Sequence, residues 1–319
     1  MKVLFVSSGN SKEGISPIIK SQGESLIKEG VDIEYFTIKS GGIKGYIKSI
    51  FELRSYMKTG KYSIIHAHYG LSAIVAFFAK KKEKIIVSFM GDDLVGSNDY
   101  HGRIEPISKL IVKLNKFFAK YFFHYNIVKS NEMLKVLNLS NCEVISNGVD
   151  FNRFYEIDKI KAKEFLGEDV NVKKVLFCSN PDRPEKNYRL AREAVNCLSD
   201  DNIVLKCIHG INQEELVYYY NSADCLLLTS FHEGSPNVIK EAMACNIPIV
   251  STNVGDVNEV IGKTEGCFIT TFEPEDVASK IKKALFFDKK SQGRANIKHL
   301  EASVVAQKII NIYEKKLEK

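Results

Sequence analysis

The sequence predicts an α/β chain of two doubly wound parallel-sheet domains, and three observations carry that prediction. Apolar runs such as Ile85-Ile86-Val87-Ser88-Phe89 and Cys225-Leu226-Leu227-Leu228 are continuous rather than alternating, the pattern of strands covered on both faces. Loops and stretches of helical spacing follow such runs, so strands and helices alternate along the chain. A length of 319 residues suits two domains of ordinary size, each with its own core.

Composition narrows the class. Hydrophobic content of 45% and charged content of 26% are those of a soluble globular protein. The opening apolar run, residues 2–7, is too short for a signal peptide or a membrane span, and no other run approaches spanning length. The expectation is a cytoplasmic protein, peripheral on the inner face of the membrane at most. The seven cysteines include no CxxC pair. Cys178, Cys207, Cys225 and Cys267 fall in strand-like runs and read as buried, reduced core residues, so no metal site is expected from them. Residues 1–150 hold 21 Lys/Arg against 14 Asp/Glu, and the remainder 24 against 25. The basic half either faces something anionic or is a lysine-rich surface. No aromatic–basic module accompanies it, which argues against nucleic acid.

In chain order, the strand at 2–7 leads through a loop ending at Gly14 into a helix over 15–28, a Rossmann-type first turn without GxGxxG. A strand follows at 31–36, then a helix near 43–58. The strand from Tyr62 ends in His66-Ala67-His68, and the two histidines share a face because they are two apart. A third metal ligand is missing, so each reads first as a satisfied core histidine. After the strand at 85–89 come Met90-Gly91-Asp92-Asp93. The helix over 103–122 carries Lys109, Lys113, Lys116 and Lys120 at spacings of four, three and four, one basic face, with Leu110, Ile111, Leu114, Phe117, Phe118 and Tyr121 on the others. Such a helix is either a core helix with a lysine solvent face or one that lies on anionic headgroups. Asn147-Gly148 signals a turn, and a linker is expected around 150–172.

The second half repeats the pattern, with strands at 174–178, 202–207, 225–228, 249–251 and 266–270. Helices are expected at 214–221, from Pro236, at 274–287 and from about Ala295. The stretch after Leu228 carries the chemistry. Gly234, Ser235 and Pro236 break the strand, Pro236 suits a helix start, and a helix start offers free N–H groups and a positive dipole end to an anion. Glu233 and Glu241 bracket that start with seven residues between them. A phosphate there leaves two carboxylates for hydroxyls, which is the chemistry a sugar nucleotide needs.

The stretch from Glu233 through Gly234-Ser235-Pro236 to Glu241, with Ala242-Met243-Ala244 and Val254-Gly255-Asp256 beyond it, resembles the signature of retaining glycosyltransferase family 4. The resemblance implies the GT-B fold, two Rossmann-like domains facing a cleft. The first, acceptor-binding, would span 1–155 with a C-terminal helix at about 298–319 packed back on it, and the second, donor-binding, 156–297. It also implies transfer of a sugar, with retention and without a metal or other cofactor, from a nucleoside diphosphate sugar, UDP- or GDP-linked. The acceptor would be a glycan, a lipid-linked sugar or another cell-envelope molecule. By the same resemblance Lys186 and Arg183 neutralise the donor diphosphate, and Glu241 takes the ribose. Glu233 takes sugar hydroxyls, and Gly234, Ser235, Pro236 and Asn237 meet phosphates and sugar through their backbone. Gly14 matches the second glycine of the family's first loop, with Glu13 in place of the first. Where many members carry a histidine beside the reacting sugar this chain has Met90, so that contribution either comes from a neighbour, with Asp92, Asp93 and His101 as candidates, or is dispensable; the resemblance also puts His66 and His68 near the acceptor. Rival readings are a catalytically silent sugar-nucleotide-binding or scaffolding subunit and a sugar-nucleotide epimerase.

Overall fold

The computed structural model describes residues 1–9, 14–39, 41–97, 103–287 and 289–318. The first half runs β1 (Lys2–Ser8), α1 (Pro17–Lys28), β2 (Asp32–Ile38), α2 (Gly42–Tyr56), β3 (Ile64–His68) and α3 (Gly70–Ala79). It continues with β4 (Lys84–Ser88), α4 (Asp92–Val95), α5 (Pro106–Tyr121), β5 (Tyr125–Val128), α6 (Asn131–Leu137) and β6 (Cys142–Val144). The second half runs α7 (Lys159–Phe165), β7 (Lys173–Cys178), α8 (Tyr188–Asn196), β8 (Ile203–Ile208), α9 (Gln213–Ser222), β9 (Cys225–Leu228), α10 (Asn237–Ala244) and β10 (Ile249–Thr252). After these come α11 (Val257–Ile261), β11 (Cys267–Thr270), α12 (Pro274–Leu285), α13 (Gly293–Asn296) and α14 (Ala302–Leu317).

The chain forms two units, the first built from residues up to Ser97, Ile104–Gly148 and α14, the second chiefly from Val149–Glu301. In the first, six strands lie in the order β2-β1-β3-β4-β5-β6, and every pair is parallel. Because side chains alternate along a strand, Leu4 and Val6 point to one face under α2, α3 and α5, while Val3 and Phe5 point to the other under α1 and α14. The second unit is a five-stranded parallel sheet, β11-β10-β9-β7-β8. Its Leu176, Leu226 and Ile249 pack under α9, α10 and α11, and Val175, Leu227 and Val250 under α8 and α12. Two doubly wound sheets are thus present, as the continuous apolar runs predict, the architecture of the GT-B class.

Some expectations shift. The division falls between Gly148 and Val149 rather than at 155, because the Val149 N–H donates to the Leu300 carbonyl at 2.9 Å and Phe154 enters the second core. Residues 150–172 are no free linker. They carry α7, and Arg294 Nη groups hold the carbonyls of Phe154 at 2.6 Å and Phe151 at 2.9 Å. The helix expected from about Ala295 is broken: α13 ends at Asn296, a 3-10 turn covers Lys298–Leu300, and α14 starts at Ala302. Val305, Ile309, Ile310 and Tyr313 of α14 are buried in the first unit, whereas Val304 is exposed. All seven cysteines are free; Cys225 is buried, and Cys178, Cys207 and Cys267 are only half-buried.

Candidate active site

In the second unit β8 lies on one side of β7 and β9 on the other, so the direction of winding reverses between β7 and β9. Ligands of open α/β sheets bind beyond the carboxyl ends of the strands at such a reversal. The loops leaving β7 and β9 are tied together there. Thr229 Oγ1 donates to the Lys186 and Asn187 carbonyls, both at 3.0 Å, and the Phe231 N–H donates to the Glu185 carbonyl at 2.9 Å. A 3-10 turn, Pro184–Lys186, presents Lys186 from one loop to Glu233 on the other. Lys186 Nζ donates to Glu233 Oε1 at 2.6 Å, and Ser230 Oγ donates to the same oxygen at 2.7 Å. The two residues that the resemblance gives to diphosphate and sugar therefore hold each other in one half-buried pair. Arg183 stands apart from them: its guanidinium pairs with Glu185 and its side chain is 54% exposed.

Helix α10 begins one residue later than expected, with Pro236 as the extended residue before it and no side chain capping its start. Ile239, Ala242 and Met243 bury one face of the helix in the core and fix its direction. Ser235 is buried, and its Oγ donates to Asp256 Oδ2 at 2.8 Å, so its hydroxyl belongs to the protein framework. Lys240 Nζ, 0% exposed, completes that cluster by pairing with Asp256 Oδ2 at 3.0 Å and donating to Ser235. The loop after β10 closes on the loop after β9 at Gly255, where φ is +58° and a Cβ would stand 2.7 Å from the Gly234 carbonyl oxygen. Only glycine fits both demands. None of Tyr220, Ser230, Lys240 and Asp256 stands out in the sequence as a partner, because each meets its neighbour through tertiary structure or lies on an ordinary helical turn.

Glu241 is half-buried on α10, and Tyr220 Oη of α9 donates to its Oε2 at 2.5 Å. Burial pushes this carboxyl above the usual carboxylate range, against the opposing pull of the tyrosine hydrogen bond. A raised acid binds its proton more tightly folded than unfolded. It therefore stabilises the fold at low pH, and that contribution is lost as pH climbs from the ordinary glutamate value, about 4.3, through the raised one. The expected result is that the Tm of Glu241→Gln gains on that of the parent protein as pH climbs through this window; a constant difference between the two curves would contradict the assignment.

In the first unit the predicted residues do not converge in the same way. His66 and His68 share a face, their rings stacked 4.6 Å apart, but both are fully buried. His66 Nδ1 lies 2.6 Å from Tyr313 Oη and Nε2 2.8 Å from Ser88 Oγ, and burial pushes its pKa down to about 3. His68 packs against both His66 and Phe5 without a hydrogen-bond partner among the described residues, and burial holds it well below the usual histidine range. β3 is an interior strand covered on both faces, so neither ring is placed to touch an acceptor directly. Asp93 is buried and collects three backbone N–H groups, from Met90 at 2.9 Å and from Gly91 and Gly70, each at 3.0 Å. Burial raises its carboxyl to about 6 despite those amides. It clamps the loops after β3 and β4 together. Asp92 is half-buried at the start of α4. Gly14 adopts φ +82°, with nothing among the described residues near its missing Cβ, so its backbone conformation is what calls for glycine there. His101 and Glu13 lie outside the described residues. Among the described residues no cluster of His, Cys, Asp and Glu is placed to hold a metal ion.

Residues 185–296 match the family described as glycosyl transferases group 1, and residues 14–126 match glycosyl transferase 4-like. D-inositol 3-phosphate glycosyltransferase 2 of Catenulispora acidiphila is 21% identical over 299 residues, taking in 76% of this chain and 66% of that protein. The teichuronic acid biosynthesis glycosyltransferase TuaC of Bacillus subtilis, itself named as putative, is 25% identical over 171 residues, covering 48% of this chain and 44% of its own. The chain thus spans about two thirds or less of the length of these curated relatives. Among solved structures, sucrose-phosphate synthase of Thermosynechococcus elongatus superimposes with a TM-score of 0.83 at 16% identity, covering 99% of both chains. HepE of Anabaena, solved with UDP and glucose, gives 0.72 at 17% identity over 99% of this chain and 100% of that one. At such identities these likenesses speak for the fold, and the two matched segments speak for the family. One segment of the chain thus resembles the group 1 glycosyl transferases and the other the glycosyl transferase 4-like proteins, on a fold of the GT-B class.

Proposed function

We propose that this chain transfers a sugar, with retention and without a metal, from a nucleoside diphosphate sugar to a glycan, lipid-linked or other cell-envelope acceptor. The observation that carries the reading is the Lys186–Glu233 pair at the sheet's winding reversal, just ahead of the uncapped start of α10. A pyrophosphate at that start meets N–H groups and the positive dipole end. Lys186 lies beside it to take up the charge that grows on the diphosphate as the glycosidic bond breaks, the charge a metal ion would otherwise neutralise. Arg183, exposed and paired with Glu185, contributes to the same field from further out. Glu233, once its lysine turns to phosphate, has acceptor oxygens for sugar hydroxyls, and Glu241, held by Tyr220, has one for a ribose hydroxyl. Retention fits attack on the face from which the diphosphate leaves, with the departing oxygen taking the acceptor's proton. UDP is the base-bearing half that the solved HepE complexes hold, and GDP is the alternative donor class.

Met90 favours one second reading, a sugar-nucleotide-binding subunit without transfer, because a thioether neither gives nor takes a proton. The experiment that separates them is a thermal-shift screen over nucleoside diphosphates and their sugars, followed by product analysis with the donor that binds. A stabilising donor whose shift disappears in Glu241→Ala and Lys186→Ala supports the site. Binding without transfer across a broad acceptor panel supports the silent subunit, isomerised donor supports an epimerase, and shifts unchanged in both variants overturn the site altogether.

A further inference from the structure

Helix α5 has three faces rather than two. Ser108, Asn115, Phe118 and Ala119 form the buried one, with Asn115 Nδ2 donating to the Asp93 carbonyl at 2.9 Å. The apolar residues that a core helix would turn inward mostly face out instead. Ile107 is 74% exposed and Leu110 69%, and Leu114, Phe117 and Tyr121 continue the stripe at spacings of three and four, all exposed. Lys109, Lys113, Lys116 and Lys120 run alongside as a second exposed stripe. The two-way choice left by the sequence, core helix or surface helix, thus resolves into a helix whose greasy and basic stripes are both on the outside.

The neighbouring helix repeats the arrangement. On α2 the buried face is Gly45, Ser49 and Leu53, whereas Ile43, 81% exposed, and Ile47 and Phe51 recur every four residues on the outside beside Lys44 and Lys48. Helix α3 packs against both α2 and α5 on the same side of the sheet. Arg54 Nη2 ties α2 to the end of α3 through the Phe78 carbonyl at 2.6 Å, and exposed Phe78 meets Phe118. One layer of three helices therefore shows water two apolar stripes, each flanked by lysine. Isolated exposed apolar residues are ordinary, but aligned stripes on adjoining helices are not.

We infer that the α2–α3–α5 layer of the first unit is a docking surface for an anionic lipid bilayer, its apolar stripes entering the headgroup–acyl boundary and its lysines meeting anionic headgroups. Charge selects this occupant. The lysine stripes sit in the half of the chain that carries the net positive charge, so a second copy would set lysine against lysine, whereas a bilayer containing phosphatidylglycerol supplies the opposite sign. No helix among the described residues is long and apolar enough to cross a membrane, and in this docking α2 and α5 lie along its surface. The inference rests on this layer alone and is independent of the donor reading.

The test is co-sedimentation of the full chain with phosphatidylcholine vesicles, with and without phosphatidylglycerol, at low and high salt. The protein is expected to pellet with the anionic vesicles and to be partly released by salt. Lys113→Ala with Lys116→Ala should weaken partitioning by about fivefold per lysine. Leu110→Ser with Phe117→Ser should weaken it at least about tenfold, in a part that salt does not touch. All four positions are exposed, so the melting temperature should stay at the parent value and separate lost docking from lost folding. Absence of pelleting with anionic vesicles at low salt overturns the inference, as does pelleting that neither variant changes. A lipid-free dimer dissolved by Leu110→Ser with Phe117→Ser also overturns it and gives the surface to a second copy.

Discussion

Lys240→Met is expected to destabilise the second unit by about 3–5 kcal/mol, the cost of leaving a buried charge without its partner. Lys240 is 0% exposed, and its ammonium is shared between Asp256 and the Ser235 hydroxyl. Removing it leaves the buried Asp256 carboxylate without its cation, held by the Ser235 hydroxyl that donates to it. Asp256→Leu alone should be similarly costly, and for the mirror reason. The double variant should recover most of the loss, because an apolar pair of matching volume carries no desolvation penalty. Denaturant midpoints of the four proteins make the measurement, and additive losses would show that the two charges are not coupled. The consequence for the site is direct. This cluster anchors Ser235 immediately before α10, so either single variant should also loosen the loop that carries Glu233 and Gly234.

Lys186→Ala is expected to lower kcat for sugar transfer by about 10²–10³-fold, the range seen when one fixed group that stabilises developing transition-state charge is removed. KM for the donor should move less, because the lysine is needed most when the diphosphate is leaving. Arg183→Ala should cost about fivefold or less, as befits a guanidinium largely in water and already paired with Glu185. Steady-state kinetics on the two variants distinguishes these roles. Equal losses would mean that the diphosphate sits nearer Arg183 than the loop geometry implies.

The sequence made the sheets readable because parallel strands buried on both faces leave unbroken apolar runs, and β9, Cys225–Leu228, matches its run residue for residue. Helices were harder where their apolar spacing was masked. α8 carries three charged residues among nine, and α7 lies in a stretch whose polar composition reads as a linker. The break between α13 and α14 was invisible because Ile297 and Leu300 keep an apolar rhythm while turning into the other core. At the candidate site, Glu233, Glu241 and Lys186 are singled out by local spacing and resemblance, and the structure pairs Lys186 with Glu233. Their partners Tyr220 and Ser230 are not singled out, since a hydroxyl on a helix or loop looks the same whether it meets a carboxylate or water. The histidines of β3, read first as satisfied core residues, are both buried, but only His66 has hydrogen-bond partners among the described residues.

The bond between His66 and Tyr313 joins residues 247 positions apart in sequence, and it has a consequence for biogenesis. Ribosomes deliver β1 through β6 early, yet the α14 residues that roof one face of that sheet emerge only after the entire second unit has been made. Until then Val3, Phe5, Ile64 and Ile127 have an incomplete lid, so the unit encoded second is the one that can finish maturing first. Nascent chains stalled before Ala302 should accordingly present a protease-resistant rear portion behind a front portion that chaperones still recognise.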